Sequence, residues 1–246
     1  MSVYRIDFSY DGSGFRGYAR QLNVRTVEED LETALHRIIP GVRTVVAGRT
    51  DAGVHADGQV VSFETDQSVD ITRLGRSLNK MLNPEIAIQA ISRAPVGFSA
   101  RFSAVSRTYR YRIDNGPVLD PHWRHRAWHI AHALDLGAMN AAAQHFVGLH
   151  DFAAFCRAAE RRSTIRTVLK AEWTRSDERM VEFEVVASSF CHQMVRGLVA
   201  VCVDVGRGSF DPAEIPDLIE SRDRSTTGGA APARGLTLWR VGYASS

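Results

Sequence analysis

Lysine is nearly absent from this sequence of 246 residues: among its 30 lysine and arginine side chains, only Lys80 and Lys170 are lysines. The formal net charge of +2 does not demand a nucleic-acid partner. Arginine suits planar recognition of phosphate and stacking on bases, although a GC-rich genome would also favour arginine over lysine. The excess of arginine is therefore informative only through its placement.

Cysteine is also scarce, and the sequence lacks any long apolar run. The three cysteines, Cys156, Cys191 and Cys202, form no Cys-x-x-Cys pair and cannot make an even disulfide framework, so we expect buried or idle thiols. No apolar stretch approaches the length of a membrane span. The N-terminus is expected to enter a strand directly rather than a signal peptide. The expected compartment is therefore the cytoplasm, with no membrane partner.

The rest of the composition is that of an ordinary globular protein, with 44% hydrophobic and 24% charged residues. One segment stands out because basic and aromatic side chains are interleaved in it, as recognition of single-stranded or looped RNA requires. Its arginines are Arg101, Arg107, Arg110, Arg112, Arg124 and Arg126, and its aromatic residues are Phe102, Tyr109, Tyr111, Trp123 and Trp128.

The hydrophobic pattern of the first half predicts the element order β-α-β-β-α-β. Its first helix opens with the capping box Thr26-Val27-Glu28-Glu29 and stops at Pro40-Gly41. The predicted elements are strand 3–10, helix 27–39, strands 42–47 and 58–65, a helix from Asp70 to Asn83, and strand 86–91.

The second half repeats this order. Tyr4-Arg5-Ile6-Asp7 recurs letter for letter as Tyr111-Arg112-Ile113-Asp114, each at the head of its half. Loop-like inserts rich in Arg, Gly or Pro interrupt the repeat at 115–133, 156–164 and 206–235. The predicted elements are helix 135–147, strands 165–174 and 180–187, a helix from Ser189, and strand 236–243.

These matched halves predict an α+β fold built from two ferredoxin-like βαββαβ units. Residues 1–105 are expected to form an N-terminal α/β domain that carries a loop around Asp51. Residues 106–246 are expected to form a C-terminal α/β domain that completes an active-site cleft.

The Asp51 loop is the strongest candidate for a site. Gly48 and Gly53 bracket Arg49, Thr50 and Asp51 between two strands, and glycines allow sharp backbone angles and the close approach of a ligand. A bidentate contact from Arg49 would favour the ionised Asp51 carboxylate. The alternative is a turn in which the aspartate caps backbone amides, and the pattern alone favours neither.

The segment Gly48-Arg49-Thr50-Asp51-Ala52-Gly53-Val54-His55 closely resembles the signature of the tRNA pseudouridine synthase A family, and the resemblance covers nearly the whole chain. Tyr18-Ala19 is a departure, since the family usually has Trp-Gln after the preceding glycine. The other similar blocks are Tyr10-Asp11-Gly12 with Gly17 and Gln21, 98–104 with Arg107 and Tyr109-Arg110-Tyr111, Asp151-Phe152, 190–196, and Gly235-Leu236.

The resemblance implies an isomerase that converts uridines 38, 39 and 40 in the anticodon stem-loop of tRNA to pseudouridine, without cofactor or metal. It also implies the pseudouridine synthase fold with a central RNA-binding cleft, and a homodimer in which each tRNA contacts both subunits. Asp51 would be the catalytic nucleophile, and Arg49 would keep its carboxylate ionised and aimed. The sequence does not decide whether the carboxylate attacks C1′, attacks the base, or abstracts a proton in a glycal route.

The resemblance assigns the remaining site residues to substrate binding or proton transfer. Tyr109 would stack on the flipped uracil and relay a proton, although alternation along its strand also allows a ring that faces the core. Arg196, one helical turn after His192, would approach the Asp51 pocket or bind phosphate, or lie on a solvated face. Leu236 would supply an apolar wall or belong to the core. The interleaved basic and aromatic segment, rather than the resemblance, predicts that Arg110 and Arg126 lie along the RNA.

Two other functions and a metal site compete with this interpretation. A noncatalytic RNA-binding module is disfavoured because the third strand of each half lacks the glycine and paired exposed aromatics of that motif. An aspartate-nucleophile phosphatase is disfavoured because Asp51 has no second carboxylate two residues on. His122, His125, His129 and His132 have helical spacing, but Pro121 favours an irregular segment, so we expect RNA contact or solvation rather than metal binding.

Overall fold

The structure is a computed structural model that describes residues 1–157 and 163–244. It is a mixed α+β protein whose strands pair almost entirely in the antiparallel sense. The chain folds into two compact units, Met1–Val105 with Leu238–Ser246, and Ser106–Thr237.

The first unit follows the predicted element order. Its central strand β1 pairs antiparallel with β3 on one side and with β4 on the other. The two-residue strand β2 pairs with β3, in place of the longer strand predicted over 42–47. The elements are β1 Ser2–Tyr10, α1 Val27–His36, β2 Val45–Val46, β3 His55–Thr65, α2 Ile71–Leu82 and β4 Ile86–Ala94.

Both helices of the first unit begin where side-chain caps satisfy their first amides. The Thr26 side chain accepts from the Glu29 amide, and the Asp70 side chain accepts from the Arg73 amide at 3.0 Å. The predicted capping box is therefore confirmed at its threonine. Helix α1 ends at His36, before the predicted Pro40-Gly41 stop.

The second unit is built on strand β5, which pairs antiparallel with β9, and β9 pairs with β8. Beyond the predicted elements it contains the short strands β6 and β7 and the helix α5. Its elements are β5 Ala104–Asp114, β6 Trp128–His129, α3 Leu136–Gln144, β7 Gly148–Asp151, β8 Ile165–Arg175, β9 Met180–Ala187, α4 Met194–Gly206 and α5 Ile215–Ser221.

Helix α4 starts later than predicted. The expected start at Ser189 is wrong because Gln193 has a left-handed backbone conformation, with φ of 65°, so the first helical residue is Met194. His192 consequently lies in the turn before the helix. The expectation that His192 and Arg196 occupy successive turns of one helix is wrong for the same reason.

The last strand changes the domain boundary. The sequence predicted a second domain over 106–246, but Leu238–Ser246 belong to the first unit. Strand β10, Leu236–Tyr243, is a neighbour of β3, and the Tyr243 hydroxyl donates to the Ala100 carbonyl at 2.8 Å. These interactions explain why the C-terminus belongs with residues 1–105.

The cysteines are not all idle thiols, which corrects the prediction. Cys156 and Cys191 are joined as a disulfide with their Cα atoms 5.9 Å apart, and only Cys202 is a free, buried thiol. Burial raises the pKa of Cys202 to about 12. An odd number of cysteines excludes complete pairing but still allows one bridge. The predicted insert 156–164 lies partly outside the described residues.

Candidate active site

The Asp51 loop connects β2 to β3 in the first unit, as the sequence predicted. Thr50 is buried, whereas the Asp51 side chain is half-exposed and the Arg49 side chain is exposed. The loop therefore anchors itself through Thr50 and leaves the neighbouring carboxylate within reach of a substrate.

The segment after β1 holds the backbone of this loop. The Tyr18 amide donates to the Thr50 carbonyl at 3.0 Å, and the Gly53 amide donates to the Phe15 carbonyl at 3.3 Å. Gly17 has a φ of +100°, and a Cβ atom there would lie 3.1 Å from the Thr50 carbonyl oxygen. Glycine at this position thus permits both the left-handed backbone and the close approach of the two segments.

His55 fixes the end of the loop to the turn after β1. Its side chain is fully buried, and its Nδ1 atom accepts a hydrogen bond from the Gly12 amide at 3.1 Å. Asp11 Oδ1 lies 3.3 Å from the same nitrogen. These contacts agree with a role for His55 in orienting the loop.

The departure from the family pattern at Tyr18 is a matter of packing. The Tyr18 side chain is fully buried, and its ring centroid lies 6.4 Å from that of Tyr10 at the base of the Asp51 loop. A side chain without solvent exposure does not contact RNA directly. The departure at Tyr18 therefore changes local packing.

The pairing expected between Arg49 and Asp51 stays a prediction. Both residues belong to the first unit, and the Arg49 side chain is exposed. The catalytic role predicted for Arg49 stays a prediction.

Tyr109 lies in β5, opposite Val185 of β9, with 8% of its surface exposed. Its ring meets the ring of Phe190 edge to face, with centroids 5.1 Å apart and an interplanar angle of 87°. Phe190 stands in the segment that leads into α4. The Tyr109 ring is thus held in place by a second aromatic ring and retains a small accessible area.

Tyr111, two residues further along the same face, is the core residue that alternation predicted. It is fully buried, and its hydroxyl donates to the Pro232 carbonyl at 2.8 Å. Burial raises the pKa of Tyr111, and the positive charges of Arg196 and Arg234 oppose that rise. A Cβ atom at Gly235 would lie 2.6 Å from the Tyr111 ring, so this ring requires glycine just before Leu236.

Arg110 projects from the opposite face of β5 and is already paired with carboxylates. It lies 2.9 Å from Glu184 and 3.3 Å from Glu182. Lys170 continues the row, at 3.0 Å from Glu184. A phosphate would have to compete with these carboxylates, so the RNA contact predicted for Arg110 stays a prediction with a structural competitor.

Arg126 is half-buried in the turn that follows the short 3-10 helix Pro121–Trp123, with its amide donating to the Trp123 carbonyl at 2.9 Å. The four nearby histidines do not form the helical row that their spacing allowed. His122 contacts Asp120, whereas His129 contacts the Gly116 carbonyl. Within residues 1–157 and 163–244, no group of three or more His, Cys, Asp or Glu is arranged to hold a metal ion.

Arg196 and Leu236 are placed by the segment that precedes β10. Arg196 Nε donates to the Ala231 carbonyl at 2.6 Å, and the Ala231 amide donates to the Arg196 carbonyl at 3.0 Å. Leu236 opens β10 and is buried. Arg196 is half-buried rather than on a freely solvated face.

The predicted site residues are divided between the two units. Asp51 and Arg49 belong to the first unit, and the others belong to the second. Within each unit they occupy ordered positions on strands, a helix or anchored loops. Their union in one active site stays a prediction. The residues in the second unit are Tyr109, Arg110, Arg126, Arg196 and Leu236.

Comparison with known proteins identifies the family. A family model described as tRNA pseudouridine synthase matches residues 142–244. The tRNA pseudouridine synthase A of Leifsonia xyli subsp. xyli is 42% identical over 98% of this chain and 91% of its own length. The chain belongs to the tRNA pseudouridine synthase A family. The family predicted from the sequence is thereby confirmed.

Other members of the family match to a similar extent. The tRNA pseudouridine synthase A of Frankia casuarinae is 45% identical over 97% of this chain and 88% of its own length. The same enzyme of Bacillus subtilis is 39% identical over 97% of this chain and 98% of its own length. The family consists of isomerases that act on uridines of tRNA. Among the described residues, no helix is long and apolar enough to cross a membrane.

Proposed function

We propose that this protein isomerises uridines 38, 39 and 40 in the anticodon stem-loop of tRNA to pseudouridine, with Asp51 as the nucleophile and without cofactor or metal. One observation carries the proposal: the family signature lies in a loop whose Thr50 is buried and whose Asp51 is half-exposed. An anchored backbone beside an accessible carboxylate is the arrangement that nucleophilic catalysis needs.

The reaction conserves every atom of the nucleoside apart from an exchange of protons with solvent. The bond between ribose C1′ and uracil N1 breaks, the uracil turns, and a bond forms between C1′ and C5. The C5 proton leaves, and N1 takes up a proton. The Asp51 carboxylate forms a temporary bond to the nucleoside in the first step, and this bond breaks again before the product leaves, which restores the carboxylate. Tyr109 accepts or relays the C5 proton.

The target uridine has to leave the base stack before this chemistry begins. Flipping a nucleotide out of a stem costs roughly a few kcal/mol. Stacking on an aromatic face returns about 1–3 kcal/mol per base, and Tyr109 provides that face. Its ring is held against Phe190, which limits the rotamers that stacking would otherwise have to restrict.

Arginine side chains bind the tRNA backbone in this proposal. Arg49 is exposed beside Asp51, and Arg126 stands at the segment where basic and aromatic residues alternate. Arg196 approaches the substrate from the second unit, and Leu236 lines the base pocket. We further propose the cytoplasm as compartment, a homodimer as assembly, and a central cleft between two ferredoxin-like units as the RNA-binding surface.

Release of tritium from tRNA transcripts labelled at uridine C5 tests the proposal. The expected result is release in the presence of EDTA, with pseudouridine mapped to positions 38–40 of the modified transcript. Transcripts in which these uridines are replaced by cytidine serve as the control and should release no tritium. Pseudouridine confined to another region of the tRNA would contradict the proposed position.

A further inference from the structure

Hydrogen bonds connect the end of β1 to the Asp51 loop on both sides of Arg49, to the Thr50 side chain and, through Gln59, to the Gly48 carbonyl. The Tyr10 hydroxyl lies 2.8 Å from Thr50 Oγ1. Gln59 Nε2 donates to the Tyr10 hydroxyl at 3.3 Å and to the Gly48 carbonyl at 2.8 Å. Two points of the loop, both within three residues of Asp51, are thus attached to one pair of side chains.

The burial of Gln59 shows that this attachment is its structural role. Its side chain is fully buried in β3, next to the apolar residues Val60 and Val61. Its Oε1 atom accepts from the Val60 amide at 3.1 Å, so every polar atom of the side chain has a partner. A buried amide is expensive unless it is bonded, and an apolar residue would serve the strand equally well. The loop contacts explain why glutamine stands there.

We propose that Tyr10 and Gln59 are positioning residues that fix the Asp51 carboxylate by holding Gly48 and Thr50. The proposal rests on the catalytic role proposed for Asp51. Catalytic groups have to be held within about 0.5 Å of the productive geometry, and a misplacement of about 1 Å lowers the rate by about a hundredfold. Neither Tyr10 nor Gln59 needs to touch the substrate for this effect.

The protonation state of Tyr10 fits the network. Burial raises the pKa of Tyr10 to about 12, against the opposing hydrogen bonds with Thr50 and Gln59. The hydroxyl therefore keeps its proton throughout the neutral range. Because its oxygen accepts from Gln59, its proton is available to Thr50, and the three side chains form a continuous chain of donors and acceptors.

The test compares variants that remove the bonds to the loop, and Gln59→Met also removes the acceptor of the Val60 amide. Tyr10→Phe and Gln59→Met are expected to lower the single-turnover rate by about tenfold to a hundredfold, with the Kd for tRNA within about twofold of wild type. Tyr4→Phe is the matched control, because Tyr4 is fully buried in the same strand and its hydroxyl has no hydrogen-bond partner among the described residues. Tyr4→Phe should leave the rate unchanged.

A second pair of variants distinguishes loss of the Tyr10–Thr50 hydrogen bond from loss of folded protein in the first pair. Thr50→Ser keeps the hydroxyl that meets Tyr10 and should retain activity, whereas Thr50→Val removes it and should lose as much rate as Tyr10→Phe. The Tyr10→Phe/Thr50→Val double variant should be no slower than the slower single variant, because both changes break the same bond.

Wild-type rates in both Tyr10→Phe and Thr50→Val would overturn the positioning role. A fall in rate that follows only the folded fraction, measured by thermal unfolding, would overturn it as well. Asp51→Asn separates this failure from failure of the proposed function. If Asp51→Asn is inactive while Tyr10→Phe is fast, only the positioning role is wrong; if Asp51→Asn is active, the catalytic role on which it rests is wrong.

Discussion

Substitutions of Tyr109 separate its two proposed tasks, base stacking and proton transfer. Tyr109→Phe keeps the ring and its edge-to-face contact with Phe190, but removes the hydroxyl. We expect tRNA affinity within a few-fold of wild type, and a single-turnover rate lowered by about a hundredfold or more because proton transfer is lost.

Tyr109→Leu removes the ring as well, and the structure sets the size of the effect. The ring is 8% exposed and lies 5.1 Å from Phe190, centroid to centroid. Loss of an edge-to-face pair costs about 0.5–1.5 kcal/mol beyond area burial, and the smaller side chain leaves a partly filled space. A total of about 2–3 kcal/mol would lower Tm by roughly 4–12 °C. Affinity for tRNA should fall with the stacking contact.

Tyr111→Phe is the control for these measurements. It removes a hydroxyl from the same face of the same strand, where it donates to the Pro232 carbonyl. We expect a loss of about 1–3 kcal/mol from the unpaired carbonyl, with the rate per folded molecule unchanged. The reasoning about Tyr109 would be refuted if Tyr109→Phe were as fast as wild type, since the proton acceptor would then be another group.

Three further predictions concern the arginines expected to bind RNA, the ion pair between Asp114 and Arg179, and the metal requirement of the reaction. Arg126→Gln should reduce the slope of log affinity against log salt by about 0.7–0.9 if Arg126 neutralises one phosphate. An unchanged slope would mean that the RNA binds to another surface. Arg110→Gln tests in the same assay whether Arg110 also contributes to the slope. Burial alone would raise the pKa of Asp114, but hydrogen bonds from Arg179 and from backbone amides hold this pKa below its usual value. Asp114 therefore contributes stability above its unfolded pKa that is lost as the pH falls through its folded pKa. Arg179→Met should lower the free energy of unfolding and raise the midpoint pH of acid unfolding, whereas Arg175→Met at an exposed position should change neither. Activity should persist in EDTA, and a loss that zinc restores would contradict a metal-free mechanism.

Regular elements could be predicted from the sequence where one face is apolar and a cap marks the end. Strand β10 occupies the predicted residues 236–243. The predicted cap Thr26 and the predicted helix start Asp70 both accept amide hydrogen bonds. These signals are local, because the cap and the periodicity lie within one element. They do not reveal a short edge strand such as β7, Gly148–Asp151, which has only four residues and little apolar alternation.

Features set by contacts distant in sequence could not be predicted. Cys156 and Cys191 are 35 residues apart, and nothing in their spacing indicates a bridge. Gln193 has a left-handed backbone conformation that moves the start of α4 to Met194, and no glycine at this position indicates that conformation in the sequence. Pairing of β10 with the first unit depends on the whole fold rather than on its own residues.

The candidate site shows the same division. The Asp51 loop could be predicted because its signature is contiguous in sequence. The hydrogen bonds from Tyr10 and Gln59 that hold the loop could not be predicted. Gln59 is one of several polar residues in β3, so the local sequence does not mark it as a support of the loop. Tyr10 precedes it by 49 residues, so only the fold reveals that they share a hydrogen bond.

Asp51→Asn tests the central claim most directly. The substitution keeps the size of the side chain but removes the ionised carboxylate, so turnover measured by tritium release should be abolished. Affinity for tRNA should stay near that of wild type, because arginine side chains rather than Asp51 bind the phosphates. Pseudouridine formation above about a tenth of the wild-type rate would contradict the assignment of Asp51 as the nucleophile.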